Sequence, residues 1–380
     1  MICAIFYFLY FAAFGIYTPY WTLFLRNLQF SPMQIAVLVA IPSAARIFLP
    51  PVYGYMADRW KARTSIIAVS CLAQLLPLTL ILRFHSFPAL VALVCAFAFF
   101  NAPVLSFAEA TAQEEQEKGE LDYGKTRLWG TISFIVLAVI FGRILDTEDS
   151  DWILYGFLVF LLFLSAASLW MPEGKIRFDL RHEHLREALT TPATWIFLLV
   201  AFLMYLSHGT FYGFFSIYLS ELGYTDSRIG LQWAVAAGSE LSIFFFASRI
   251  LPRYGSRGLL AACCLAAALR WLLIGSMHSF QWLIAVQTMH AFTFGLFHIT
   301  SMRLVHRLFP EGSRSFGQAL YTSFSGGLGS VLGLLLSGRL WANWHGRTFY
   351  VNAVIMAGAF FLCLLMRDSR TSPESAGDAR

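Results

Sequence analysis

Charge is what this 380-residue chain has least of. Asp, Glu, Lys and Arg together make up 13% of it, about half the share found in a typical soluble domain. Hydrophobic residues make up 58% and aromatic residues 17%, and a soluble globular fold is excluded. Cysteine is also scarce: Cys3, Cys71, Cys95, Cys263, Cys264 and Cys363 all sit inside apolar stretches without disulfide-framework or metal-type spacing, so they are read as packing residues. Hydrolase signatures are missing as well. There is no Gly-x-Ser-x-Gly elbow, no His-Glu-x-x-His and no pair of aspartates within an apolar stretch. An enzyme is not expected, and neither a cofactor nor a metal site.

What fills the chain is apolar runs. A helix crossing the bilayer core needs about 20 apolar residues, and twelve stretches meet that need, near 1–25, 32–57, 64–83, 87–108, 128–145, 152–171, 193–219, 228–250, 257–277, 280–302, 315–337 and 347–366. The first has no basic leader and no small-residue cleavage site, so it reads as a span and not as a signal peptide. The chain opens directly on Met1-Ile2-Cys3-Ala4-Ile5-Phe6, which fits a start further upstream. The lengths left over hold no soluble output domain, which argues against a sensor.

The net charge of +5 raises the question of nucleic acid. With both ends on the cytoplasmic side, only Arg26, Arg83, Arg143, Arg228, Arg339 and Arg347 fall opposite, and Arg46, Arg127 and Arg270 lie within or at the edge of spans. The remaining Lys and Arg follow the positive-inside rule. The charge reports orientation in a bacterial inner membrane and not a nucleic-acid partner.

Sliding the chain over itself by 194 residues places Phe8, Leu9, Gly15, Leu25, Leu28 and Ile35 on Phe202, Leu203, Gly209, Leu219, Leu222 and Ile229. Arg59 and Arg63 fall on Arg253 and Arg257, and Gly142-Arg143 falls nearly on Gly338-Arg339. The expected organisation is a six-helix half over residues 1–171, a polar cytoplasmic linker over 172–191 and a second six-helix half over 192–380. Even helix counts make the repeats parallel, which is the arrangement of major facilitator transporters, with a substrate site near the midplane between the halves. The expected fold is therefore all-α integral membrane, with twelve transmembrane helices in two pseudo-symmetric bundles working as a monomer.

Charges deep in a span cost about 2.5–3.5 kcal/mol on insertion scales and usually mark function. Arg46, Glu240 and Arg270 are the clear cases, and Arg46 and Glu240 stand one repeat apart, which suggests either an inter-half pair or functional groups facing a cavity. Glu240 is the only carboxylate deep in a stretch, so it is the expected proton-coupling group. Histidine also titrates near neutral pH, and His290 lies 20 residues from Arg270 across a short hairpin, at the same membrane depth. His208 and His298 read as packing residues. Of the aromatics in the first stretch, Tyr17 is expected to line the cavity, although an interfacial belt explains some of them equally well. Ser325-Gly326-Gly327-Leu328-Gly329-Ser330-Val331-Leu332-Gly333 reads as a close-packing surface and not as a phosphate loop.

Several segments carry a resemblance. Gly54-Tyr55-Met56-Ala57-Asp58-Arg59-Trp60-Lys61-Ala62-Arg63 resembles the major facilitator loop motif, with Gly54, Asp58 and Arg59 in its gating positions and Lys61 where that motif has glycine. Tyr123-Gly124-Lys125-Thr126-Arg127-Leu128-Trp129-Gly130 and Gln287 to His298 resemble the phenylpropionate permease family. The same positions match the lactose permease, whose pattern implies that Glu109 and Arg127 contact substrate, that Phe134 stacks on it, and that Arg270 and His290 serve proton coupling. Gln287 and Thr293 depart from that pattern, standing where the lactose permease has a lysine and its proton-releasing carboxylate. The resemblance implies proton-coupled import of a small organic solute, with aromatic or other organic acids favoured by the cations Arg46 and Arg127. Efflux by proton antiport and sugar or nucleoside symport remain the alternatives.

Overall fold

The computed structural model describes residues 1–173, 189–309 and 313–366. The expected linker lies mostly outside the described residues, as does the polar tail. Every one of the twelve stretches is helical. In chain order they are α1 (Ile2–Asn27), α2 (Pro32–Trp60), α3 (Arg63–Ala73 and Leu75–Ile81), α4 (Phe87–Glu117), α5 (Tyr123–Leu145) and α6 (Trp152–Ser168). The second six are α7 (Pro192–Ser207 and Gly209–Glu221), α8 (Asp226–Arg253), α9 (Ser256–Ser276), α10 (Phe280–Gln287 to Phe297–Leu308), α11 (Arg314–Tyr321 to Ser330–Trp344) and α12 (Thr348–Leu365).

Length and apolarity alone mark nine membrane-crossing helices among the described residues, because α11 and α12 then run together as Arg314–Leu365. They are two spans: the chain turns at His345, whose φ of 46° ends α11. The 17 residues of α6 are apolar but short. The remaining span, α8, carries Asp226, Arg228, Glu240, Arg249 and Arg253.

α4 is longer than its apolar stretch. It runs past Glu109 to Glu117 because Ala108-Glu109-Ala110 and Gln113-Glu114-Glu115-Gln116-Glu117 are strong helix formers. Glu109 is thus a helix-wall residue, and the acidic run caps a protruding end. There Arg63, 4% exposed, gives hydrogen bonds to Thr111 Oγ1 (3.3 Å) and Glu114 Oε1 (2.6 Å), tying α3 to α4.

Lys61 closes α2 in the left-handed region, with φ 50° and ψ 40°. The turn that glycine would make without strain is therefore made by lysine, at a cost of roughly 1–2 kcal/mol. Lys61→Gly is expected to stabilise the protein by about 1 kcal/mol, read as a higher midpoint of thermal unfolding in detergent. An unchanged or lower midpoint would contradict this.

The two sets of six helices meet tightly at the end of the bundle opposite the chain termini. Tyr20, fully buried on α1, donates to the Ala138 carbonyl of α5 at 2.5 Å and reaches the Asp226 carbonyl of α8 at 3.4 Å. Arg26 Nη2 donates to Ser220 Oγ at 2.9 Å, and the Ser227 amide at the start of α8 donates to Asp146 Oδ1 at 3.1 Å. Among the described residues all hydrogen bonds between the sets lie at this end. Towards the other end Arg46 is exposed and Glu109, Arg127 and Glu240 are partly exposed, although Arg46, Arg127 and Glu240 lie within Coulombic range of groups in the opposite set, so open space lies between the halves there.

Glycine makes the closed seam possible. A β-carbon on Gly230 would strike the Tyr20 hydroxyl and the Ala138 carbonyl, and one on Gly142 would strike Tyr20 and the Asp226 carbonyl. Overpacking of this kind costs about 1–3 kcal/mol, and only in the closed arrangement. Gly230→Ala is expected to slow transport about 5- to 100-fold at equal membrane abundance and to make a cysteine at Tyr20 accessible to a thiol reagent from that face. Normal transport would show that the seam does not need to close this tightly.

A charged cavity between the halves

Four helix backbones are interrupted where polar side chains cross the middle of the bundle. α3 breaks at Gln74 and α7 at His208. α10 loosens after Gln287 and continues as a π-helix over Ala291–Leu296, while α11 has one over Thr322–Gly329. Widened turns of this type are frequent at functional sites.

The break in α10 gathers a buried cluster. Arg270 on α9 is fully buried. Its Nη1 donates to His290 Nδ1 (2.8 Å) and Thr293 Oγ1 (2.9 Å), and its Nη2 donates to Gln287 Oε1 (2.9 Å). The guanidinium carbon lies 4.5 Å from the Phe211 ring and 4.8 Å from the Trp271 ring, contacts worth about 2 kcal/mol each in a dry site. Gln287 and Thr293, the two departures from the lactose permease pattern, therefore act as hydrogen-bond acceptors for the arginine.

His290 links this cluster to Glu240. Its Nε2 lies 3.1 Å from Glu240 Oε1. Arginine has only donors, so His290 Nδ1 must accept, and the ring proton must sit on Nε2 and point at the carboxylate. A second proton on the ring would expel Arg270. The histidine is a fixed connector, and the group able to gain a proton without breaking this chain is Glu240, whose side chain is 22% exposed.

The sequence-equivalent pair Arg46 and Glu240 do not form an ion pair. Arg46 on α2 is exposed to the cavity and donates to Ser43 Oγ at 3.1 Å, with no carboxylate in ion-pair range among the described residues. Tyr10 of α1 and Tyr205 and Tyr212 of α7 lie within Coulombic range of it, and both α7 tyrosines also sense Glu240. The cavity thus has a free cation on one wall, a carboxylate on the other and phenol rings between them.

Glu109 and Arg127 meet at 3.6 Å, with side chains 32% and 41% exposed, and Arg127 also donates to the Tyr123 hydroxyl at 3.1 Å. Arg127 and His298 lie within Coulombic range of Glu240 across the gap. Tyr17 stacks on Trp21 (5.3 Å) and Phe157 (5.0 Å) inside the first half, away from these charges. Phe134 presents its backbone to Gly15 of α1, fixing the close approach of α1 and α5, and its ring is partly buried. Gly54 is buried and Arg59 exposed at the end of α2; the Asp58 side chain lies outside what is described.

Sequence reasoning did not single out Tyr205 and Tyr212, which lie within Coulombic range of both Arg46 and Glu240. A tyrosine on an all-apolar helix carries no periodic signal that separates cavity wall from packing.

The splayed halves, the midplane cavity and the buried charged cluster are features of a transporter, and the whole-chain comparisons agree. The family model "MFS_1 like family" matches residues 1–352. The chain belongs to that family. It is 27% identical over 369 residues to the probable 3-phenylpropionic acid transporter of Escherichia coli (strain K12), covering 94% of this chain and 95% of that one. It is 25% identical to the maltose permease of Geobacillus stearothermophilus, over 97% and 95% of the two chains. Among solved structures it resembles the nucleoside transporter NupG, with a TM-score of 0.81 at 18% identity over 96% of this chain and 98% of that one, a likeness of fold. This family member is a multi-pass membrane transporter of the major facilitator fold and not an enzyme.

Proposed function

We propose that the chain imports a small organic carboxylate, aromatic acids foremost, together with a proton, from the outside of a bacterial inner membrane. The observation that carries this reading is Arg46, a cation in the cavity wall that has no carboxylate in ion-pair range among the described residues and lies within Coulombic range of tyrosines of both halves. A substrate carboxylate completes it through charged hydrogen bonds. The relative named for 3-phenylpropionic acid supports the aromatic class. With the termini on the cytoplasmic side, the splayed end is the inward-open mouth. One chain supplies both walls of the cavity, which supports a monomeric transporter.

Glu240 serves as the proton carrier in this reading. Charged, it holds the His290 to Arg270 chain; protonated, it no longer offsets the positive charge of Arg127 across the gap, which favours entry of an anion. Arg127 positions substrate beside Glu109. Arg127→Lys keeps the charge but loses the planar fork, and it is expected to raise the apparent KM for a carboxylate about 10- to 100-fold at equal expression. Wild-type kinetics would remove Arg127 from the site.

The test of the reading is a thermal-shift screen of purified protein with small aromatic and aliphatic carboxylates, sugars and nucleosides. A ligand at 100 times its Kd stabilises the folded state by about 2.7 kcal/mol. Aromatic carboxylates should raise the unfolding midpoint. A rise with nucleosides or maltose alone would overturn the organic-acid reading.

A further inference from the structure

The first turn of α5 is tied to two other helices. Asp122 caps it, accepting from the Lys125 amide at 3.0 Å, and the Tyr123 amide donates to Gln116 Oε1 of α4 at 3.2 Å. A cap of this kind contributes about 1 kcal/mol. The half-buried ring of Tyr123 meets the fully buried ring of Tyr7 on α1 edge-on, with centroids 6.4 Å apart. Tyr123 is thus fixed in place, and Arg127, four residues on, lies on the same face of α5.

The contacts of Arg127 gather on one nitrogen. Its Nη1 donates to the Tyr123 hydroxyl at 3.1 Å and lies 3.6 Å from Glu109 Oε1. Among the described residues Nε and Nη2 have no hydrogen-bond or ion-pair partner. Those two nitrogens form the side-on edge of the guanidinium, whose parallel N–H groups can take both oxygens of a carboxylate. An arginine side chain carries about 2 kcal/mol of rotamer entropy, and one that is 41% exposed keeps much of it unless something holds the head group. Tyr123 holds it before any ligand arrives, and preorganisation of this kind raises affinity.

We propose that Tyr123 is a positioning residue for substrate recognition: by occupying Nη1 it leaves the Nε–Nη2 edge of Arg127 open to the cavity, and so sets the preference for a planar anion over a neutral ligand of the same shape. The inference rests on the reading of the central cavity as a carboxylate site. Glu109 does not do this alone. At 3.6 Å it is a neighbouring charge beyond hydrogen-bond distance, and it leaves the plane of the guanidinium free to turn. Arg46 attracts the anion, and Arg127, held by Tyr123, fixes its plane.

The experiment is isothermal titration of the purified full chain with 3-phenylpropionate and with 3-phenylpropionamide, which keeps the shape without the charge. It compares the wild-type protein, Tyr123→Phe, Arg127→Lys and the double variant. Tyr123→Phe keeps the ring and removes the acceptor, and it should reduce the preference for the carboxylate over the amide about three- to tenfold. In the lysine background there is no planar edge to orient, and the same substitution should change the preference by less than about twofold. An unchanged preference in Tyr123→Phe, a reduction of equal size in both backgrounds, or equal weakening of both ligands would overturn the positioning role while leaving the cavity reading intact. A wild-type protein that does not prefer the carboxylate would remove both. Each preference is a ratio measured on one preparation, so it does not depend on the folded fraction, and Tyr123→Leu carries the same expectation should Tyr123→Phe fail to fold.

Discussion

Glu240→Gln is expected to abolish concentrative uptake while leaving exchange in place. The substitution keeps the shape and hydrogen-bonding capacity of the side chain, and glutamine can still accept from His290 Nε2 at the observed 3.1 Å separation. What it removes is the only group in the Glu240, His290, Arg270 chain that can take up and release a proton without breaking it. One pH unit stores about 1.4 kcal/mol, enough for a tenfold accumulation of a substrate that moves with one proton. In proteoliposomes with an imposed gradient, the wild-type protein should approach that ratio and the glutamine variant should stay near unity. Counterflow at equal pH moves no net proton and should survive within a fewfold. Arg270 stays cationic in the variant, so some loss of stability is expected from a buried charge whose relayed counter-ion is gone. A variant that still concentrates substrate in response to the gradient would reduce Glu240 to a structural partner of His290.

The second large effect is expected at Arg46. Unlike Arg127, which already has Glu109 and Tyr123, Arg46 is bound only to Ser43 among the described residues. Removing it should cost substrate binding and little folding energy. A hydrogen bond to a charged group contributes about 1.5–3 kcal/mol, so Arg46→Gln should raise the Kd of a carboxylate about 10- to 150-fold. It should leave the affinity for the corresponding neutral amide within about threefold. Equal weakening of both ligands would mean that Arg46 shapes the cavity and does not hold the anion.

Most of the fold was legible because hydrophobicity is a strong signal when the solvent is lipid: the twelve apolar stretches are the twelve helical spans. The backbone breaks were only partly legible. Pro77 cannot donate to the Ala73 carbonyl, which fits the break at Gln74, and Gly209 directly follows His208, but the Ala291–Leu296 segment, with Gly295 alone, carries no signal that announces its widened turn. The repeat was informative about equivalence but not about contact. Two residues related by the pseudo-twofold axis meet only if they lie on it. Arg26 and Ser220, 194 residues apart, lie on it and bond at 2.9 Å, whereas Arg46 and Glu240, equally spaced in the chain, stand off it on opposite walls. Glu240 goes instead to His290, a partner that no spacing rule connects to it. The Arg270 to His290 contact, by contrast, was visible from hairpin length and from the resemblance to the lactose permease, and it forms at 2.8 Å.

The most direct test of proton-coupled carboxylate entry is luminal pH in sealed proteoliposomes holding a trapped pH dye, after an aromatic carboxylate is added outside at equal starting pH. Wild-type protein should acidify the lumen in step with radiolabelled substrate entry, at one proton per carboxylate, above the rate seen in protein-free vesicles. Glu240→Gln should exchange the labelled substrate without that acidification. Wild-type entry of the carboxylate with no change in luminal pH beyond the protein-free control would contradict the account.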